Sequence, residues 1–256
     1  MNIFGAVVTA FSTYSSIPMP QIKWDEKNMR YSMCAFPLIG VFIGALSWLF
    51  CILNENCIQS PFLKAVMLVL IPVWITGGIH LDGFMDTVDA ICSRKVTDEK
   101  YTILKDPHIG AFAAIHLAAL ILFELGIFSL AGNMKPVMFI LIYAFSRCLS
   151  GIAVVTFPVC RKSSLLFAFS DSADKKPVRI ILAVMGVILA VMMSFTGISG
   201  VITVISGLLM FAWYRVRSMK EFEGINGDMA GWFVCLAEAV MFAAAILTET
   251  VILHLG

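Results

Sequence analysis

Long apolar stretches alternate with short polar segments along almost the whole chain. Seven of these stretches are close to the roughly 20 residues that an α-helix needs to cross a bilayer. They lie near residues 31–53, 61–80, 110–130, 135–156, 178–197, 200–214 and 230–253. The sixth is short, which indicates a tilted helix or a hairpin with the fifth. Residues 1–20 are also apolar but end in Pro18 and Pro20, which predicts a short helix that lies against or dips into the membrane and then stops.

Composition supports a membrane protein. Of the 256 residues, 60% are hydrophobic and 14% are charged, whereas a soluble domain has about 45–50% apolar and 25% charged residues. We therefore predict an all-α, polytopic transmembrane bundle of about seven spans plus an N-terminal interfacial or re-entrant helix. Residues 1–256 form a single domain, with its main loop at 81–109. A net charge of +1 gives no sign of a nucleic-acid partner.

The basic residues predict the orientation in the membrane. Of the 18 lysines and arginines, 15 fall before the first stretch or in the loops after the second, fourth and sixth, counting Arg179 just beyond the fourth-stretch loop; the exceptions are Lys64, Lys135 and Arg147. Loops rich in Lys and Arg face the cytoplasm. We expect a multi-pass protein of the cell's inner or plasma membrane, with these loops and the active site facing the cytoplasm.

The longest polar interruption runs from Gly77 to Gly110 and contains Asp82, Asp86 and Asp89. At about 100° per residue, the spacings i, i+4 and i+7 put all three on one helix face, within roughly 40° of Asp82. Like charges so arranged repel each other, so the cluster needs a partner. Mg²⁺ prefers oxygen ligands and is usually held by one or two carboxylates plus substrate phosphates. An acidic, solvated helix face is the alternative, but carboxylates beside membrane spans are costly and usually functional.

Other polar groups border this stretch or the last span. Gly77 and Gly78 precede the aspartates and indicate either close helix packing or a backbone bend. His80 is a candidate general base. The loop ends in KDPHIG, residues 105–110, where a lysine and a histidine beside an aspartate can bind phosphate. Asp228, in GINGDMAG at residues 224–231, is a candidate anion or metal seat at a helix N-terminus.

Two features further along the chain have open interpretations. Glu238 lies inside the last span and needs a partner, for which Arg147 in the fourth span is a candidate. The loop from Arg161 to Lys176 mixes basic residues with serines and phenylalanines. It is either a topology signal that touches anionic lipid or a docking site for a large phosphorylated substrate.

Several motifs together resemble the cobalamin synthase family, the adenosylcobinamide-GDP ribazoletransferases. The most specific is GGIHLDGFMDTVDA at residues 77–90, and supporting elements occur in the same order as in the family: FSTYSSIPMP, FPLIG, KDPHIGAFA and INGDMAG followed by Glu238. The similarity covers nearly the whole chain. Departures from the family pattern include His108 for a frequent arginine, Asn226 for threonine, Cys235 for an acidic residue, and SSLL at 163–166 for a glycine-rich run.

The resemblance implies a transferase that joins adenosylcobinamide-GDP to α-ribazole or its 5′-phosphate and releases GMP, in the last steps of cobalamin biosynthesis. It implies Mg²⁺ as cofactor, with metal ligands Asp82, Asp86, Asp89 and Asp228. The implied catalytic residues are His80, Asp82, Asp86 and Asp89, with the base either His80 or an aspartate. The implied substrate-binding residues are Lys105, Asp106, His108 and Asn226. The partners are these small molecules and the lipid bilayer; a homo-oligomer is left open.

Three other classes compete with this interpretation. CDP-alcohol phosphotransferases also have an aspartate cluster that begins with Asp-Gly, but the Ala-Arg pair and the second half of their pattern are missing here. Intramembrane prenyltransferases use two aspartate-rich motifs, and this chain has one good one. A transporter would need polar residues near the midplane, and this sequence offers no polar path to the outer face.

Overall fold

The computed structural model describes residues 3–22, 26–132, 134–160 and 173–255, so most of the loop from Arg161 to Lys176 lies outside the described residues. The described helices, which we number in chain order, are α1 (Ile3–Tyr14), α2 (Glu26–Met29), α3 (Ser32–Leu53), α4 (Pro61–Thr76), α5 (Ile79–Cys92), α6 (Thr97–Ile103), α7 (Ala111–Ser129), α8 (Val137–Thr156), α9 (Lys175–Ser194), α10 (Ile198–Phe222) and α11 (Gly227–Leu255). A π-helical turn at Asn54–Ile58 extends α3.

Six helices in the described ranges are long and apolar enough to cross a membrane: α3 with its π-helical extension, α7, α8, α9, α10 and α11. The bent pair of α4 and α5 gives a seventh if it is counted as one span. The prediction of an all-α, polytopic bundle of about seven spans is confirmed. The N-terminal helix α1 packs against α3, and the segment after it is tied to α4 by a hydrogen bond from Ser16 N to Ile75 O of 2.8 Å.

The predicted second span at 61–80 is wrong at its end. Helix α4 ends at Thr76, and α5 leaves it at an angle of 95°. Gly77 (φ 63°) and Gly78 (φ 80°) both have left-handed backbone conformations, which glycine adopts without steric cost. An added Cβ would find no atom within 4 Å at Gly78 and only the Ser16 side chain, at 3.6 Å, at Gly77. The two glycines therefore make the bend, and close helix packing is not their role.

The sixth span is also longer than its apolar stretch. Residues 200–214 were predicted, but α10 continues to Phe222. The extra turns are polar and are supported by an ion pair between Arg217 Nη1 and Glu221 Oε1 at 3.0 Å, four residues apart. Hydropathy identifies only the part of a helix that lies in lipid, so it does not predict that the helix continues through polar residues. Residues 195–197 connect α9 to α10, so the two helices do form a hairpin.

Helix α8 lies at the centre of the bundle. In its most apolar 18-residue segment, 83% of the residues are buried. Glycines of α3 let the two backbones approach closely: an added Cβ would lie 2.2 Å from Tyr143 O at Gly40 and 2.4 Å from Ile140 Cα at Gly44. Small residues four apart are a common means of close packing between membrane helices. The α3–α8 pair is thus closely packed, while α5 packs mainly against α11 and α7.

Candidate active site

Helix α5 packs along α11 and α7 and carries the three aspartates on the face that borders a cavity of about 340 Å³. The opposite wall of this cavity is the end of the following loop, which contributes Lys105, Asp106 and His108. Asp106 Oδ1 accepts a hydrogen bond from His108 N at 3.0 Å and contacts His108 Nδ1 at 2.6 Å. These two hydrogen bonds hold the pKa of the exposed Asp106 carboxyl below its usual range. The sequence elements 82–89 and 105–110 therefore meet in one site.

Asp228 reaches the same site because α11 begins directly against α5. An added Cβ at Gly83 would lie 2.6 Å from Asp228 O, and one at Gly231 would lie 3.0 Å from His80 O. Two helices that approach this closely leave no room for a side chain at the crossing. The crossing places Asp228 beside Asp82 at the border of a second cavity.

The second cavity, of about 220 Å³, differs in character from the first. Its walls are largely apolar and include Met33, Phe36 and Val154, while Asp82, Asn226 and Asp228 form a polar border. Asp82 borders both cavities. A group held in the apolar cavity and a group held in the polar cavity would therefore meet at Asp82.

The negative charge in the site is crowded. Burial, and after it the carboxylates of Asp82, Asp228 and Asp89 in that order of effect, together raise the pKa of Asp86 to about 6. Carboxylates that share a site disfavour each other's ionised form, and an opposite charge among them relieves this. The four side chains supply the oxygen atoms that Mg²⁺ prefers. The site therefore fits a divalent cation.

No three Asp, Glu, His or Cys side chains in the described part of the chain converge closely enough to form a ready-made metal site. This arrangement suits Mg²⁺, which commonly takes one or two carboxylates and completes its shell with substrate phosphates and water. The metal-ligand set read from the sequence stays a prediction.

Asp89 has a second neighbour at the far end of the aspartate face. Its carboxylate lies against Gly110, where an added Cβ would come within 2.1 Å of both carboxylate oxygens. Gly110 immediately precedes α7, and the free backbone N–H groups at a helix N-terminus favour a negative charge. Asp89 thus lies where a negative charge is favoured, beside the end of the loop that carries Lys105.

Asn226 makes its hydrogen bonds within the protein. Its Oδ1 accepts from Met229 N at 2.9 Å, in the manner of a helix cap, and its Nδ2 donates to Asp228 Oδ2, also at 2.9 Å. Asn226 therefore orients Asp228, a role that sequence reasoning did not assign to it. Its contact with substrate stays a prediction.

The family model described as cobalamin-5-phosphate synthase matches residues 6–246. The chain belongs to this family. A relative from Lachnoclostridium phytofermentans, named adenosylcobinamide-GDP ribazoletransferase, is 36% identical over 99% of this chain and 98% of its own length. Relatives of the same name from Clostridium botulinum and Clostridium perfringens are 31% and 35% identical, over 96% and 93% of this chain and 99% and 96% of their own lengths. No solved structure matches the chain.

A buried ion pair lies one layer below the site in this cobalamin-5-phosphate synthase family member. Arg147 of α8 is fully buried and its Nη1 donates to Glu238 Oε1 of α11, which also accepts from Ser146 Oγ at 2.6 Å. Arg147 Nη1 also donates to Tyr143 O at 2.9 Å. The pair predicted from the sequence is confirmed.

Breaking this pair should destabilise the protein strongly. Arg147→Met would leave Glu238 as an uncompensated buried charge, which typically costs about 3–5 kcal/mol. The double variant Arg147→Met/Glu238→Met removes both charges and should recover most of that loss. Thermal unfolding of the three proteins in detergent measures the difference. Equal destabilisation by the single and double variants would contradict this reasoning.

Contacts that the sequence did not predict fix the loops of the site. Tyr101 Oη of α6 donates to Phe222 O at the end of α10 at 2.6 Å, and Lys100 pairs with Glu221 beside it. The segment after α8 is joined to the connection between α10 and α11 by hydrogen bonds from Cys160 N to Ile225 O and from Ile225 N to Pro158 O, each 2.9 Å. From the sequence, Lys100 was used only as one of the basic residues that predict orientation, because its neighbours in the chain do not indicate a pair with Glu221.

Proposed function

We propose that this chain is an adenosylcobinamide-GDP ribazoletransferase that acts in cobalamin biosynthesis. The observation that carries the proposal is the family match over residues 6–246, together with relatives of that name that align over nearly their whole length. A ribose hydroxyl of α-ribazole or of its 5′-phosphate, other than the 5′-hydroxyl, which is blocked in the 5′-phosphate, attacks the cobinamide-side phosphorus of adenosylcobinamide-GDP. A new P–O bond forms, the P–O bond to GMP breaks, GMP leaves with that electron pair, and the hydroxyl proton is released to a base.

Mg²⁺ is the cofactor in this proposal, held by Asp82 and Asp86 with Asp228 and Asp89 at the edges of the same carboxylate cluster. Its support is the crowded negative charge around Asp86 and the oxygen-only donor set. When bound, the ion neutralises negative charge on the diphosphate and on the departing GMP. The coordination shell would be completed by substrate phosphates.

The remaining tasks belong to side chains around the two cavities. Lys105 and His108 line the polar cavity opposite the aspartates and would bind and orient the phosphates. Asp106 holds the His108 backbone and ring in place. His80 and Asp82 both border the apolar cavity, where the attacking nucleoside would sit, so either could take the hydroxyl proton.

We infer that the site faces the cytoplasm of a cell membrane. Arg94, Lys95 and Lys105 follow α5 at the end of the bundle where the aspartates lie, and Arg217 lies near the end of α10, which α6 contacts. Loops rich in basic residues stay inside. The proposed partners are the small-molecule substrates and the lipid bilayer, with no nucleic acid.

The decisive experiment incubates the purified protein in detergent or proteoliposomes with Mg²⁺, adenosylcobinamide-GDP and α-ribazole, and follows GMP. GMP release that requires both substrates supports the proposal. The same preparation is tested for release of CMP from a CDP-alcohol with an alcohol acceptor. CMP release without any GMP release would show a CDP-alcohol phosphotransferase and overturn the proposal.

A further inference from the structure

The apolar cavity has the size and the aromatic lining for a small aromatic group. Tyr14 and Phe36 pack with their ring centroids 4.7 Å apart on one side, and Phe36 meets His80 edge-on at 5.8 Å. Val154 of α8 forms another part of the wall. The volume of about 220 Å³ is below the roughly 300–1,000 Å³ of sites for drug-sized ligands. It therefore suits one fused ring system and is too small for a whole nucleotide.

Charge excludes a phosphate from this cavity. Its described lining includes the carboxylates of Asp82 and Asp228 and contains no lysine or arginine. A diphosphate placed among its apolar residues would lose its hydration without a basic side chain to replace it. The polar cavity on the other side of Asp82 has Lys105 and His108 and is the better place for the diphosphate.

The imidazole ring of His80 forms part of the wall of this cavity. His80 is 8% exposed, and its Nε2 is enclosed by protein and makes no hydrogen bond. His80 therefore offers ring surface to the cavity. Together with Phe36 and Tyr14, it gives the cavity an aromatic lining.

We propose that this cavity receives the aromatic base of the ribazole substrate, packed against Phe36 and the His80 ring, with the attacking ribose hydroxyl directed to Asp82. The proposal rests on the proposed function and assigns the two halves of the reaction to the two cavities. A benzimidazole-type base is largely apolar, which matches the cavity wall. His80 is then part of that wall, and Asp82 is left as the proton acceptor.

Guanine, the other aromatic base in the reaction, fits this cavity poorly. It carries several hydrogen-bonding groups along its edges, and most of the cavity wall could not satisfy them. The polar atoms of Asn226 at the border are already bonded to Met229 N and Asp228 Oδ2. Guanine in this cavity is nevertheless a defined outcome of the test below.

The test narrows the cavity at Val154. Val154→Leu adds one methylene group to the wall, and Val155→Leu adds the same group at the next residue, which is also buried but does not line the cavity. The KM and kcat of the full-length protein are measured for α-ribazole, for the unsubstituted benzimidazole nucleoside and for adenosylcobinamide-GDP. One methylene group in a hydrophobic pocket changes specificity about 10–200-fold.

We expect Val154→Leu to raise the KM for α-ribazole at least about tenfold and to raise that for the unsubstituted nucleoside less. The KM for adenosylcobinamide-GDP should stay the same, and Val155→Leu should behave as wild type. If Val154→Leu fails to fold, Val154→Ala should shift the preference towards bulkier bases. A raised KM for adenosylcobinamide-GDP alone would place guanine in the cavity and overturn this inference while leaving the proposed function intact. Absence of turnover in wild type would instead overturn the proposed function.

His80 provides a second, independent measurement. His80→Leu keeps an apolar side chain in the cavity wall, so the pH profile of kcat should be unchanged. A fall in kcat together with loss of one limb of its pH profile would show that His80 is the base and overturn its assignment to the cavity wall.

Discussion

Asp82→Asn should reduce turnover by more than about a hundredfold, since even the outer partners of metal ligands typically contribute 10–100-fold to metal affinity or activity. Asp82 is the one aspartate of α5 that borders both cavities. In the proposed reaction it helps to hold Mg²⁺ and faces the attacking hydroxyl group. Its carboxylate is therefore required both for the metal ion and for the attacking hydroxyl group.

The same variant should fold and insert normally. Asp82 is one of the carboxylates that raise the pKa of Asp86, so its neutralisation relieves repulsion in the metal-free protein. Like charges one helical turn apart cost about 0.2–0.5 kcal/mol, and the variant should unfold at a slightly higher temperature without metal. Added Mg²⁺ should stabilise wild type, because a ligand that binds the folded state raises the free energy of unfolding. It should stabilise the variant much less.

Glu99→Gln is the matched control. Glu99 lies in the same loop, on α6, and pairs with Lys95 at 3.2 Å, but its side chain is 56% exposed and lines neither cavity. Loss of this exposed pair should change stability by less than about 1 kcal/mol and leave turnover unchanged. Full activity of Asp82→Asn, or an equal loss in Glu99→Gln, would show that the aspartate face of α5 is not the metal site.

The parts of the site that the sequence predicted follow from periodicity and from the cost of charge in lipid. The spacing of Asp82, Asp86 and Asp89 requires one helix face, and α5 provides it. Arg147 and Glu238 were expected to pair because an isolated charge inside a span is costly, and they do. These inferences need only local geometry or a large energetic penalty, both of which are readable from one sequence.

The features that the sequence did not predict depend on the direction of each helix and on which apolar side chains line a cavity. Hydropathy treated 61–80 as one span because it cannot register a 95° turn at two glycines. Met33 and Phe36 come from α3 and Val154 comes from α8, and apolar residues that line a cavity have the same composition as apolar residues that face lipid. The apolar half of the site could therefore not be predicted before the helices were placed.

Gly83→Ala should reduce turnover by tens of fold, approaching about a hundredfold, because a misplacement of 1 Å can cost that much in a reacting site. The new Cβ would lie 2.6 Å from Asp228 O and 2.8 Å from Asp228 Cα, and both are backbone atoms that cannot rotate away. Helices α5 and α11 would have to separate, which moves Asp228 from Asp82. Overpacking of this kind costs about 1–3 kcal/mol, more than the roughly 0.5–1 kcal/mol that alanine gains over glycine in a helix.

Gly126→Ala separates this effect from helix propensity. Gly126 lies inside α7, and an added Cβ there meets no atom within 4 Å. It should leave turnover unchanged and raise the free energy of unfolding by up to about 1 kcal/mol. Turnover and thermal unfolding of both variants give the comparison. If Gly83→Ala were as active as Gly126→Ala, the contact between α5 and Asp228 would not set the geometry of the site, and Asp228 would have to be removed from the proposed carboxylate cluster.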